Sequence, residues 1–318
     1  MSLTPKITRI LVPTDFSLPS QVACFFAARL ANYLKAGIVL FHAISGMDLL
    51  EEVGRARGKT EMEVLNDLRS RLQSWFETVT PAELRAFLPL DVTVVVGEPA
   101  PAIAPAAKRS EADLILMATH GRTGLAHLLM GSVTETVLRS IPVPVLALRV
   151  GQGDRPLTAV QRILWATDLS PVSEGSWRYA LTLADVFAAE VVLLHVVPPS
   201  ELPWQDEQPV PTPGSWLEQH VAPFDRELGQ RQQVAEELGL SARRKILVGV
   251  PAEAIVAEAQ AEEADLIVIG THGRTGLPHV LLGSVAAAVI RKAPCPVLAV
   301  KVEPEGEATE PNAADAAA

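Results

Sequence analysis

The chain holds two cysteines in 318 residues, Cys24 and Cys295, far apart and without C-x-x-C spacing. Neither a disulfide framework nor a zinc site is indicated, and a reducing cytoplasm is the expected compartment. Long hydrophobic runs are missing as well. "GIVLFHAI" and "VVLLHVV" fall far short of the roughly 20 residues that a membrane-spanning helix needs. The opening "MSLTPKITRI" lacks the apolar core of a signal peptide. Basic residues are the scarcer sign, 27 Lys and Arg against 37 Asp and Glu, for a formal net charge of -10. That balance gives no general attraction to phosphate backbones or anionic membranes, so neither nucleic acid nor a membrane is an expected partner. A G-x-x-x-x-G-K-[ST] loop is also absent, and neither glycine-rich stretch contains a lysine. This argues against the phosphate-loop class of ATP-consuming enzymes.

What the chain does contain is a duplication. "ATHGRTGLAHLLMGS" (118–132) returns almost unchanged as "GTHGRTGLPHVLLGS" (270–284). "ITRILVPTDFS" (7–17) aligns with "VQRILWATDLS" (160–170) at an offset of 153, which His42 and His195 keep. From "VVVGEPAPAI" and "ILVGVPAEAI" onward the offset is 152, so one residue is lost between the segments 44–90 and 197–243. A repeat of this length sets the architecture before any local reading does.

Within each half, short β-rich runs such as "RILVP", "DVTVVVG" and "DLILMA" alternate with segments of helical spacing such as "PSQVACFFAARLANYLKA". Alternating strands and helices imply βαβ units and a parallel sheet covered on both faces. The expected fold class is therefore α/β, two tandem doubly wound domains of five parallel strands each. The first domain is expected over 1–150 and the second over 159–303, joined by a linker at 151–158 rich in glycine and polar residues. Residues 304–318 have too little apolar surface to fold, and a disordered tail is expected. The proline-rich stretch 198–216 reads as a surface loop, with a lid as one alternative.

In an open parallel sheet, ligands sit beyond the carboxyl ends of the strands where the strand order reverses. The first strand of each half ends in Thr-Asp (Asp15 and Asp168), and the glycine-rich stretch follows the fourth strand. If those strands are neighbours, a carboxylate and a glycine-rich loop face each other across one crevice. Glycines let backbone N–H groups approach an anion, and the helix that follows offers its positive end. Ser284 stands where it can cap that helix or donate to phosphate. A phosphate end and a sugar end together suggest a nucleotide.

The series Gly270, Gly273, Gly283 and Ser284, read as G-x-x-G-x9-G-[ST], resembles the ATP-binding signature of the universal stress protein family. "PTDFS", "LHVV", "ADLIVIGTHGRTG" and the closing "PCPVLAV" are similar to that family too, and the likeness spans nearly all of both halves. The resemblance implies the adenine-nucleotide alpha-hydrolase-like fold and ATP, with Mg²⁺ as a possible companion. It implies a second-half site of Asp168 at the sugar end, Val196 beside adenine, and Ile269, Gly270, Gly273, Gly283, Ser284 and Val285 around the phosphates. In the first half it implies Asp15, Ala43, Met117, Gly121, Gly131, Ser132, Val133 and Thr134. It further implies that the two halves pair through their last strands, "PVPVLALRV" and "PCPVLAVKV", with a homodimer and an unidentified protein partner left open.

Two departures distinguish the halves. Ala118 replaces the first motif glycine, where a Cβ crowds a phosphate or forbids a positive φ, and Ala286 stands where the first half has Thr134. The second half is the expected ATP site. Competing readings remain for most of these residues. The glycines serve tight turns as readily as anions, and Asp15 and Asp168 serve as helix caps as readily as ribose contacts. His42 and His195 suit packing better than chemistry; His120 and His272 lie nearer any phosphate, and Arg122 and Arg274 read as solvated. No nucleophile is evidently paired with a base, so a regulatory nucleotide-binding protein is favoured over a slow ATP hydrolase or a nucleotide-free scaffold.

Overall fold

The computed structural model describes residues 5–46, 58–119, 130–149, 160–171, 173–201, 213–271 and 282–301, with backbone alone for 213–220. The linker 151–158, most of the proline-rich stretch, the tail and the middle of both glycine-rich stretches lie outside these residues.

The first half runs β1 (Arg9–Pro13), α1 (Leu18–Leu34), β2 (Gly37–Ile44), α2 (Glu61–Val79), the short α3 (Ala82–Arg85), β3 (Leu90–Val96), α4 (Pro99–Arg109), β4 (Leu114–Ala118), α5 (Ser132–Ser140) and β5 (Val145–Leu148). The second runs β6 (Arg162–Thr167), α6 (Ser173–Phe187), β7 (Glu190–Val197), a 3-10 turn (Pro199–Glu201) and α7 (Pro213–Glu237). It closes with β8 (Ala242–Val248), α8 (Pro251–Ala261), β9 (Leu266–Gly270), α9 (Ser284–Lys292) and β10 (Val297–Val300). Two helices start on side-chain caps: Ser17 caps α1 by accepting from the Ser20 N–H, and Thr60 and Glu63 form a reciprocal capping box on α2. Proline opens α4 and α8, where its missing N–H costs nothing.

The strand order is β3-β2-β1-β4-β5-β10-β9-β6-β7-β8. Every neighbour is parallel except β5 and β10, which meet antiparallel, Val145 opposite Ala299, Leu146 opposite Leu298 and Ala147 opposite Val297. Both halves thus share one ten-stranded sheet but run in opposite directions. β1 lies beside β4 and β6 beside β9, so the order reverses between them in each half. Strand residues alternate between two cores as the pleat requires. Ile10, Val12, Leu146 and Leu298 face the layer of α1, α2, α6 and α7; Leu11, Val145, Val297 and Ala299 face that of α4, α5, α8 and α9. Neither core stops at the β5–β10 seam, since each contains residues from both halves.

The first layer also bridges the seam. Tyr33 of α1 meets Phe187 of α6 edge-on, ring centroids 5.2 Å apart. Tyr179 of α6 is half-buried, and burial, with the negative charge of Asp113 from the other half, pushes its phenol up from 10.0 to about 12. The folded protein therefore holds this proton more tightly than the unfolded chain. The stability it contributes is complete below pH 10 and falls as the pH rises toward 12. Denaturant titrations between pH 8 and 12 should show stability falling more steeply for the parent protein than for Tyr179→Phe. Parallel slopes would mean that the phenol titrates normally.

The halves differ in their ion pairs. In the second, Glu190 takes both Arg162 (3.1 Å) and Arg243 (3.0 Å), Arg243 also pairs with Glu262, and Lys245 meets the buried Glu258 at 2.6 Å. Hydrogen bonding from Arg243 draws the Glu262 carboxyl down to about 2. The aligned first-half positions, Gly37, Asp91, Thr93, Ala106 and Ser110, cannot build this network.

Candidate functional site

The reversal of strand order in the second half opens a cavity of about 240 Å³ beyond the carboxyl ends of β6, β7 and β9. Its walls gather Asp168 from the end of β6, Val196 from β7, Ile269 and Gly270 from β9, and Gly283, Ser284 and Val285 at the start of α9. Gly273 lies outside the described residues. The apolar wall is completed by Pro198, Pro251 and Ile255, and the polar lining by Thr167, Ser173, His195, Glu201 and Thr271. Pro251, Ile255 and Glu201 were missed from sequence. The first two sit in "GVPAEAI", whose repetition as "GEPAPAI" was a usable signal; Glu201 has no aligned motif to betray it.

Local chemistry shapes the turn that carries Asp168. Leu169 adopts a left-handed backbone (φ 61°), unusual for a branched side chain. The Thr167 hydroxyl accepts from the Leu169 N–H (2.9 Å) and reaches Ser173 Oγ (3.0 Å). Asp168 Oδ1 accepts from the Ser170 N–H (3.1 Å) and from Ser170 Oγ (2.7 Å). The first half repeats the arrangement: Phe16 has φ 63°, Thr14 Oγ1 accepts from its N–H at 3.1 Å, and Asp15 Oδ1 accepts from the Ser17 N–H at 3.0 Å. The capping alternative does not hold for Asp15, because Ser17 is the N-cap of α1. Each aspartate braces its own turn.

At the start of α9, Gly283 is the N-cap and makes no side-chain cap, while Ser284 is the first helical residue. The serine cap expected from sequence is therefore not formed. α8 likewise starts behind Val250 without a side-chain cap. Two helix N-termini whose N-cap residues, Val250 and Gly283, supply no side-chain cap thus flank the cavity, and their partial positive charge favours an anion. Gly283 donates its N–H to the Thr271 carbonyl at 2.7 Å, and a Cβ at this glycine would stand 3.0 Å from that oxygen. Its φ is -64°, so close approach rather than a left-handed conformation demands glycine here.

In the first half, Asp15, Ala43 and Met117 stand at or near the carboxyl ends of β1, β2 and β4, and Gly131 caps α5 ahead of Ser132, Val133 and Thr134. Gly131 donates to the Thr119 carbonyl at 2.7 Å, as its counterpart does. Gly121 lies outside the described residues, as do His120, His272, Arg122 and Arg274. Ala118 and Gly270 are the last residues of β4 and β9, and neither has a left-handed φ. Ala118 is thus not forbidden by its backbone, and only the bulk of one methyl separates the two positions. Thr134 is buried and donates its hydroxyl to the Ala118 carbonyl at 3.0 Å, which turns it from the free donor expected of it. Among the described residues, no group of three or more His, Cys, Asp or Glu side chains gathers to hold a metal. No described helix is long and apolar enough to cross a membrane.

The family model of the universal stress proteins matches residues 6–149 and, again, 159–301. Universal stress protein MJ0531 of Methanocaldococcus jannaschii is 41% identical over 146 residues, covering 44% of this chain and 82% of that protein. A universal stress protein of Mycolicibacterium smegmatis is 28% identical over 303 residues, 92% of this chain and 96% of the other. The crystal structure of a universal stress protein from Archaeoglobus fulgidus superposes with a TM-score of 0.65 at 21% identity, over 96% of this chain and all of that one, a likeness of fold. Matched twice along its length and sharing the tandem parallel α/β architecture, the chain belongs to the universal stress protein family.

Proposed function

We propose that this protein binds ATP in the crevice of its second half and acts as a regulatory protein of the stress response. The observation that carries the reading is the composition of the cavity. An apolar wall of Val196, Pro198, Ile255 and Ile269 suits a purine; the Asp168 carboxylate suits ribose hydroxyls; and two uncapped helix N-termini suit phosphates. Mg²⁺ in this reading travels with the phosphates, which commonly bring it. The crevice binds rather than consumes its ligand, and the cytoplasm is where it works. Mass spectrometry of small molecules released from the denatured, untagged protein tests the proposal: ATP at up to one equivalent supports it. Protein that neither retains nor takes up adenine nucleotide would refute it.

The reading extends to the organisation of the chain. The two domains, 1–150 and 159–303, pair with each other through β5 and β10, and the 151–158 linker holds them at a high effective concentration. Their crevices are unequal. Ala118 adds a methyl where Gly270 has none, and Thr134 is committed to the Ala118 carbonyl. In calorimetry, ATP should fill one site per chain first. Ala118→Gly should strengthen the weaker site severalfold, about 1 kcal/mol for removing one crowding methyl. Two equal sites in the parent, indifferent to that substitution, would contradict the asymmetry.

A further inference from the structure

We infer that His195, and His42 in the first half, are positioning residues: each ring clamps the peptide that carries the crevice aspartate. His195 Nδ1 lies 2.9 Å from the Thr167 carbonyl oxygen, and His42 Nδ1 lies 2.7 Å from the Thr14 carbonyl oxygen. A carbonyl only accepts, so Nδ1 carries the proton in both rings. This fixes Nδ1 as a protonated nitrogen of each ring.

The bond matters because of which carbonyl it grips. The Thr167 carbonyl and the Asp168 N–H belong to one peptide plane. Holding the oxygen fixes the direction in which the chain enters Asp168. One residue later the backbone turns into the left-handed region at Leu169, a strained conformation that persists only where its surroundings dictate it. The Thr167 hydroxyl restrains the far side of the same kink through the Leu169 N–H. Ring and hydroxyl together hold the turn from two directions, and the carboxylate of Asp168 is the group whose place they set.

The ring itself is held. His195 is 2% exposed and packs against Phe224 of α7, centroids 4.7 Å apart. His42 is contacted edge-on at 4.8 Å by Phe16, the kinked residue of its own turn, which also meets Trp75 of α2 at 5.2 Å. The two halves thus supply the supporting aromatic from different elements yet keep the histidine, the carbonyl and the kink. In the sheet, Thr167 and His195 are partners across the last rung of β6 and β7, so the clamp ties the turn to the neighbouring strand. Packing alone does not require a ring nitrogen on that carbonyl in both copies.

This inference rests on the nucleotide reading only for its functional consequence, so its test has two readouts. Asparagine places an amide nitrogen near the position of Nδ1, whereas glutamine places one near Nε2 and leucine none. Full-length His195→Asn, His195→Gln and His195→Leu are compared with the parent. The first readout is amide hydrogen exchange of Leu169 and Ser170 by NMR, corrected for global stability from denaturant titrations. The second is ATP affinity by calorimetry. In the parent and His195→Asn, the two amides should stay protected, and His195→Asn should bind ATP more tightly than His195→Gln or His195→Leu. In His195→Gln and His195→Leu, exchange should rise at least tenfold and affinity should fall by a similar factor. Equal exchange in the Asn and Gln variants would overturn the inference, as would loosened amides with unchanged ATP affinity. If the parent binds no ATP, the nucleotide reading fails, and the exchange pattern alone still decides whether the histidine positions the turn.

Discussion

Replacing Asp168 with alanine should weaken ATP binding at the second crevice by roughly 10- to 100-fold, the span expected when a hydrogen-bonding carboxylate worth about 1.5–3 kcal/mol is removed. The carboxylate also braces its own turn through the Ser170 N–H and hydroxyl, so part of any loss is structural. Asp168→Asn separates the two contributions. It keeps a side-chain oxygen for Ser170 and gives up the charge, so stability should return toward the parent while affinity stays low. Asp15→Ala, the same change in the first crevice, should leave the tighter binding event untouched. Titration calorimetry on the three variants reads all of this. Full affinity in a folded Asp168→Ala protein would show that the nucleotide is not held at this turn.

The second large effect is expected at the seam. Pro144 and Pro296 give their carbonyls to β4 and β9, accepting from Ile115 and Ile267. By strand alternation, Val145, Ala147, Val297 and Ala299 therefore turn their N–H groups toward one another across β5 and β10. Val145→Pro together with Val297→Pro removes one N–H from each facing pair, strands the opposing buried carbonyls and forces a ring into the ladder. Small-angle scattering should show the compact particle giving way to two lobes with a larger radius of gyration. Circular dichroism should retain helix, because the helices on either side are anchored to their own half-sheets. The contacts of α1 with α6, Tyr33 against Phe187 among them, oppose the separation but cover only one face of the seam. An unchanged scattering profile from the folded double variant would place the cohesion of the halves elsewhere.

Much of this architecture was legible because duplication makes a sequence its own control. Strand and helix periodicity pointed to five strands per half, and the strand order meets the condition set for the crevice, that the first and fourth strands be neighbours. The region where the repeat offset changes is where the halves diverge in structure: α2 and the short α3 in one, the 3-10 turn and the long α7 in the other. Less legible were features made by contacts across long separations. The Glu190, Arg243 and Glu262 network joins residues from two strands and a helix end, and no local pattern announces it. The histidines ended apolar runs and were read as packing; their bond to a threonine carbonyl 28 residues earlier depends on strand register. Ala118 was given a backbone penalty that its extended conformation does not impose, because the φ of a strand's last residue cannot be read from composition. Ser284 looked like a cap from its residue type, yet the helix begins one position earlier than that role needs.

The antiparallel meeting of β5 and β10 has an electrostatic consequence. In each half the helices that precede a parallel strand begin at the carboxyl edge of the sheet, so their positive ends collect at that half's crevice. Inverting one half against the other sets these two families of helix dipoles in opposition, and over the whole molecule they largely cancel. Little of the helix dipoles remains to draw an anion in from afar. At long range an approaching anion meets the net charge of -10 and is repelled. Within about one helical turn of a mouth the helix ends oppose that repulsion. In the nucleotide reading each mouth is therefore a short-range attraction behind a repulsive envelope, and salt thins the envelope more than the attraction.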